Sequence, residues 1–260
     1  MKYYVVDAFA DGVFGGNPAG VCVLEKKLDN DLMQKIAAEN NLSETAFVYK
    51  KSEGKYDLKW FTPKSEINLC GHATLGTAYI VTNFVDVGIK EMHFDTLSGI
   101  LEVHRYEELF TMNFPSIMPE RIEIPLGLEE ALKAKALEVY LARDLMVLLK
   151  DEETVASLKP DFGKIVALAD GSGVIVTAKG TEADFVSRCF YPKLGVNEDP
   201  VTGSAHSNLI PYWAEKLNKK KMTAIQLSER KGAVYCEMSG DRVNISGYAV
   251  LYLNGDIYIG

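Results

Sequence analysis

Three short stretches carry residue types able to move a proton. Glu44 stands in Asn40-Asn41-Leu42-Ser43-Glu44-Thr45-Ala46-Phe47-Val48, where a polar turn runs into an apolar strand. A carboxylate entering a buried strand loses water, which favours its neutral form and moves its pKa toward neutrality. A general acid–base needs that environment. The same pattern also suits an exposed Glu at a strand start, or a cap for the Ser43 turn.

Cys70-Gly71-His72-Ala73-Thr74-Leu75-Gly76 reads as a helix N-terminus with a thiol just ahead of it. The N–H groups and positive potential there attract carboxylates and lower the pKa of a neighbouring thiol. Gly71 and Ala73 would lend their N–H groups to a ligand, and His72 adds a base or donor. Cys70 reads equally well as a small buried hydrophobe, and Gly71 and Gly76 as aids to close helix packing. No metal is expected, because Cys70 and His72 have no second metal-spaced pair nearby.

Glu198-Asp199-Pro200-Val201-Thr202-Gly203-Ser204-Ala205-His206 is a third such stretch. Asp199 or Thr202 can cap a helix, while Gly203, Ser204 and Ala205 again suit a ligand carboxylate. Asn17, in Gly15-Gly16-Asn17-Pro18, reads first as part of a tight turn and second as a substrate contact.

These stretches belong to a repeat. Phe61, Pro63, Lys64 and Asn68 are matched by Phe190, Pro192, Lys193 and Asn197, an offset of 129 in 260 residues. Ile67 answers Val196, Ser43 answers Ser172, and Phe47-Val48 answers Val176-Thr177. At the ends of the match Cys70 faces Asp199, and Glu44 faces Gly173. The halves share a layout but not a chemistry. Halves at 1–118 and 119–260 are expected, joined by a polar segment holding Pro115, Pro119 and Pro125, with the final strand able to pack back on the first half.

The elements that must hold these residues are short. Strands are expected over 3–9, 20–24, 45–49, 56–61, within 91–114, and over 139–149, 174–177, 184–190, 223–228, 233–238, 242–246 and 249–253. Asn254-Gly255 reads as a hairpin turn into a last strand at 256–259. Helices are expected over 30–40, from 71 to about 82, in 151–168 and over 203–217. Leu209, Ile210, Trp213, Ala214 and Leu217 give the last of these an apolar stripe.

Hydrophobic residues are 47% and charged residues 25%, the balance of a globular chain and not of a disordered one. The net charge of −8, with no basic run beyond Lys219-Lys220-Lys221, speaks against a nucleic-acid partner. No apolar stretch nears the ~20 residues a membrane span needs, so no membrane partner is expected. The N-terminus lacks a secretory leader pattern. The four cysteines form no CxxC pair or framework, as in a reducing compartment. A cytoplasmic location is expected.

In order along the chain, Val6-Asp7-Ala8-Phe9, Gly16-Asn17-Pro18-Ala19, Asn41 to Val48, Phe61-Thr62-Pro63, Leu69 to Gly76, Glu198 to His206 and Gly240-Asp241-Arg242-Val243 resemble the PhzF-like family. That family is named for the phenazine-biosynthesis isomerase and shares the diaminopimelate-epimerase fold. The resemblance runs from residue 3 to about 258. It implies an α/β (α+β) fold of two pseudo-symmetric halves, each a curved, mostly antiparallel sheet around a central helix, with the active site between them. It also implies proton transfer without a cofactor. Residue by residue, it implies that Glu44 is the acid–base group and that His72 and Asp199 complete the set. In the related epimerases two cysteines act, one from each half. Cys70 falls at the first of these positions, while Asp199 replaces the second. Ser207 departs from a frequent Cys, and Lys231-Gly232 from a common Gly-Gly. Homodimers are common among such proteins.

The expectation is therefore an isomerase or epimerase acting on a small carboxylate-bearing metabolite. Glu44, His72 and Asp199 would be catalytic, and Cys70 either a second acid–base group or a packing residue. Asn17, Gly71, Ala73, Gly203, Ser204 and Ala205 would contact substrate. The alternatives are a metabolite-binding protein that keeps the cleft without turnover, and a structural subunit.

Overall fold

The computed structural model describes residues 1–259. The chain divides into two compact units, one made of Met1–Asn113 with the segment from Ser246 onward, the other of Phe114–Ile245.

In the first unit, strand Lys2–Ala8 lies antiparallel to both Asn17–Leu24 and Ala249–Asp256. Asn17–Leu24 runs parallel to Glu44–Ser52, which pairs antiparallel with Lys55–Phe61. Glu91–Thr96 continues the sheet in parallel, followed by Gly99–Tyr106. Helix Gly71–Ile80 carries GHATLGTAYI, with no polar face to offer to water. Eight of its ten residues are buried, including His72, Thr74 and Thr77. A helix apolar all round must be enclosed, and this one packs on the strands that start at Lys2, Asn17 and Glu44. Thr74 Oγ1 and Thr77 Oγ1 donate to the carbonyls of Cys70 and Ala73, so their hydroxyls are satisfied inside the apolar shell. The opposite sheet face packs Cys22, Phe47 and Phe61 against Met33, Ile36 and Ala37 of helix Asn30–Asn40. Asp29 caps that helix, accepting from Leu32 N.

In the second unit the hairpin Glu138–Leu141/Leu145–Leu148 runs parallel to Val174–Lys179 through its second strand. Phe185–Tyr191, Lys221–Gln226 and Gly232–Ser239 complete that sheet. Helix His206–Leu217 is the buried one here, with Trp213 stacked on Phe185 at 5.6 Å and its Nε1 donating to Thr177 Oγ1. The 129-residue repeat extends to the strand register. Thr45 pairs with Phe61 in one unit, and Val174 with Phe190 in the other.

The expected fold class is the one observed, with local departures. The 151–168 segment forms two short helices, Glu152–Ser157 and Phe162–Ala167, on either side of Pro160, which cannot continue a helix. Arg188 reaches the first of them and donates to the carbonyls of Val155 and Leu158, while Glu198 grips its other side. The polar 115–130 segment holds strand Glu120–Ile122 and helix Leu128–Leu132, whose Leu128, Ala131 and Leu132 are core residues. Helix Gly71–Ile80 passes into a π-helical turn, Val81–Val85. Asn254-Gly255 is not a hairpin turn: both residues lie inside strand Ala249–Asp256, opposite Tyr4 and Tyr3. Pairing with the first strand overrides the local turn preference, and no strand follows at 257–259.

Candidate functional site

Parallel pairing sets Ala19 beside Glu44, and the hairpin register sets Asn17 opposite Ala8. Asn17 and Glu44 thus both start strands at one end of the first unit's sheet, and helix Gly71–Ile80 begins there too. Gly16 makes the approach to Asn17 possible: its φ is +61°, and a Cβ on it would lie 2.1 Å from the Ala8 carbonyl oxygen. The loop before it is tied down by Asp7, whose Oδ2 accepts the Phe14 N–H at 2.9 Å.

The structure brings four of the singled-out residues of this unit together. His72 Nε2 lies 3.2 Å from Glu44 Oε2, with the histidine side chain 6% and the glutamate 16% exposed. The two atoms are out of line for a hydrogen bond, and neither finds another partner. On the other side of the ring, Asn17 Nδ2 is 3.2 Å and Cys70 Sγ 3.6 Å from Nδ1. Asn17 and Cys70 are both buried. Gly71 and Ala73 stand in the first turn of the helix, where Cys70 occupies the N-cap position without a side-chain capping bond.

The electrostatics of the group follow from burial and contact. Burial pushes the Cys70 thiol pKa up, and His72 offsets this only in part, so the sulfur keeps its proton at neutral pH. Burial also opposes a charge on His72. The Cys70 sulfur and the Glu44 carboxylate outweigh it and hold the ring's pKa well above the ordinary imidazole value. A half-buried carboxylate against an imidazole edge is an arrangement that can take a proton from a carbon acid and give it back.

Ligand atoms of Glu44, Cys70 and His72 all lie within 4.8 Å of one another, a carboxylate–thiol–imidazole set able to surround a metal ion. Sequence spacing alone did not reveal this third donor, because Glu44 lies 26 positions before Cys70. Such a site requires a thiolate, whereas burial here favours the thiol.

In the second unit, Asp199 is half-buried at the end of strand Val196–Asp199 and accepts the Thr202 hydroxyl through Oδ2 at 2.5 Å. Gln226, fully buried, was not singled out from sequence. Its Oε1 accepts the Thr202 N–H at 2.9 Å, and its Nε2 donates to the Asp199 carbonyl at 2.7 Å. A polar residue on the buried side of the alternating strand Lys221–Gln226, after Met222 and Ala224, was the signal available. Gly203, Ser204 and Ala205 form a turn before the helix and are not part of it, since His206 N bonds back to the Gly203 carbonyl. His206 lies outside any acid–base role. Its Nδ1 donates to the Thr202 carbonyl at 2.9 Å, and burial drives its pKa down to about 4.

The fold is an α/β protein of two units, each with a sheet and a buried helix, and the first unit sets a carboxylate–histidine pair at its helix N-terminus. The comparisons make this specific. The profile described as phenazine biosynthesis-like protein matches residues 6–255. The chain belongs to this PhzF-like family. An uncharacterized isomerase of Pseudomonas aeruginosa is 49% identical over 259 residues, covering 100% of this chain and 99% of that protein. The crystal structure of a PhzF-family protein of Enterococcus faecalis superposes with a TM-score of 0.97 at 54% identity, covering 99% of each chain. A hydroxyproline epimerase of Agrobacterium vitis shares the fold at 9% identity, with a TM-score of 0.63 over 98% of this chain and 91% of its own. The family is thus one of isomerases by its curated relatives. Among the described residues no helix is long and apolar enough to cross a membrane.

Proposed function

We propose that this chain is a cofactor-independent isomerase that shifts a proton between two positions of a small carboxylate-bearing metabolite. Glu44 takes the proton from a substrate carbon. The electron pair released stays in the substrate, delocalised over an adjacent carbon–carbon double bond and its carboxylate, and Glu44 returns the proton at the far carbon as the double bond moves. The 3.2 Å approach of His72 to Glu44 in a largely buried setting carries this reading. His72 holds the carboxylate in place and shares its charge. The backbone N–H groups of Gly71 and Ala73 are suited to the substrate carboxylate. By family resemblance, Asp199 with Gly203, Ser204 and Ala205 serves the same substrate.

The test is isotope wash-in from deuterium oxide into a panel of small unsaturated, amino and hydroxy acids. Wild-type protein should label at least one of them, and Glu44→Gln should abolish the label. Absence of wash-in across a broad panel, or full wash-in by Glu44→Gln, overturns the proposal.

A further inference from the structure

We infer that Asn17 is a positioning residue that decides which nitrogen of the His72 ring carries the proton, and thereby what Glu44 faces. The inference rests on the proposed role of Glu44 for its consequence in turnover, but the proton position on the neutral ring is a property of the protein without substrate.

Asn17 is fully buried and lies 55 residues before His72. It is delivered to the ring by the Gly16 turn and by the register that fixes it opposite Ala8. Its amide nitrogen stands 3.2 Å from Nδ1, and the Cys70 sulfur stands 3.6 Å from the same atom. Both neighbours carry hydrogens. A neutral ring therefore keeps its lone pair on Nδ1, to accept from them, and its proton on Nε2. That nitrogen is the one 3.2 Å from Glu44 Oε2. The opposite tautomer would set an N–H against an NH2 group and a lone pair against a carboxylate, two repulsive contacts in a site without water's screening.

An amide does this without adding charge. Asp at this position could serve only the charged ring, and Leu neither form. The titratable groups against the ring are Cys70 and Glu44.

The test is nitrogen NMR of the full chain labelled in its histidine rings, with His72 assigned by loss of its signal in His72→Gln and His206 as internal control. The wild type, titrated upward until the ring is neutral, should show the proton on Nε2 and a bare Nδ1. Asn17→Leu should give a mixture of tautomers, and Asn17→Asp should extend the charged ring to higher pH. On a substrate identified by wash-in, Asn17→Leu should lower kcat roughly 10- to 100-fold with little change in KM, as loss of an orienting partner does. Should Asn17→Leu not fold, the wild-type tautomer and the Asn17→Asp titration decide. A neutral wild-type ring protonated on Nδ1, or unchanged spectra and titration in the variants, overturns the inference. Absence of wash-in with the Nε2 pattern intact would defeat the proposed function and leave this assignment standing.

Discussion

A β-carbon on Gly173 would lie 2.2 Å from Cδ1 of the Tyr191 ring, and the Phe190 carbonyl oxygen would be 2.7 Å away. Gly173 is the position that answers Glu44 in the repeat. The second unit has no room for a carboxylate there, because the Tyr191 ring, whose hydroxyl donates to Asp144 at 3.2 Å, fills the space. Gly173→Ala should therefore destabilise the protein by about 2–3 kcal/mol, the cost of forcing atoms into a closed core. Urea unfolding of the variant measures it, and a change below about 0.5 kcal/mol would show that the ring yields freely.

Gln226 predicts a second, larger loss. It serves the Thr202 N–H and the Asp199 carbonyl from one buried side chain. Gln226→Leu leaves both groups without that partner, at about 2–4 kcal/mol by the usual penalty for stranded buried polar groups. Because those groups frame Asp199, Gln226→Leu should also lower any activity that depends on Asp199. A variant as stable as the wild type would show that the loop from Asp199 to Thr202 holds its own shape.

The repeat was readable down to strand register, since Thr45–Phe61 and Val174–Phe190 keep equivalent pairing at the offset seen in the sequence. Glu44, Cys70 and His72 were readable as chemistry because each stands at a junction of elements. The Asn17–His72 contact was not, because it joins residues 55 positions apart through the Gly16 turn and the register that sets Asn17 opposite Ala8. The Asn254-Gly255 turn signal misled for a related reason. Local preference yields when a long strand such as Lys2–Ala8 offers continued pairing. In the repeat Val201, not a histidine, answers His72. Burial against Phe185 then makes His206 a core residue.

His206 gives a pH prediction with a definite sign. Its folded pKa lies near 4, below the ordinary imidazole value of 6.5. Between those values the unfolded chain binds a proton that the folded protein excludes. Stability is therefore unaffected above about pH 6.5 and falls as pH drops toward 4, by roughly 3 kcal/mol in all from this residue. His206→Asn keeps a donor for the Thr202 carbonyl and removes the titration. Urea unfolding at pH 7 and pH 4.5 should show a shallower loss for this variant than for the wild type. Equal losses would mean that His206 takes up a proton without leaving the core.

Cys70 decides between two chemistries. An acid–base cysteine needs an accessible sulfur whose thiolate forms near neutral pH, as at many helix N-termini. Here burial raises the thiol pKa although His72 lies 3.6 Å away. The other three cysteines are also buried and free. Native protein at pH 7.5 should therefore react slowly with an aromatic disulfide reagent, at all four thiols, and fully once unfolded in guanidinium. Rapid modification of one thiol, lost in Cys70→Ser, would show a thiolate at the helix start and restore a second proton carrier opposite Glu44. Slow modification leaves Glu44 to move the proton in both directions. In that case the deuterium of solvent enters through one group, and over a single cycle the label should appear only at the receiving carbon, with partial retention there of the substrate's own proton.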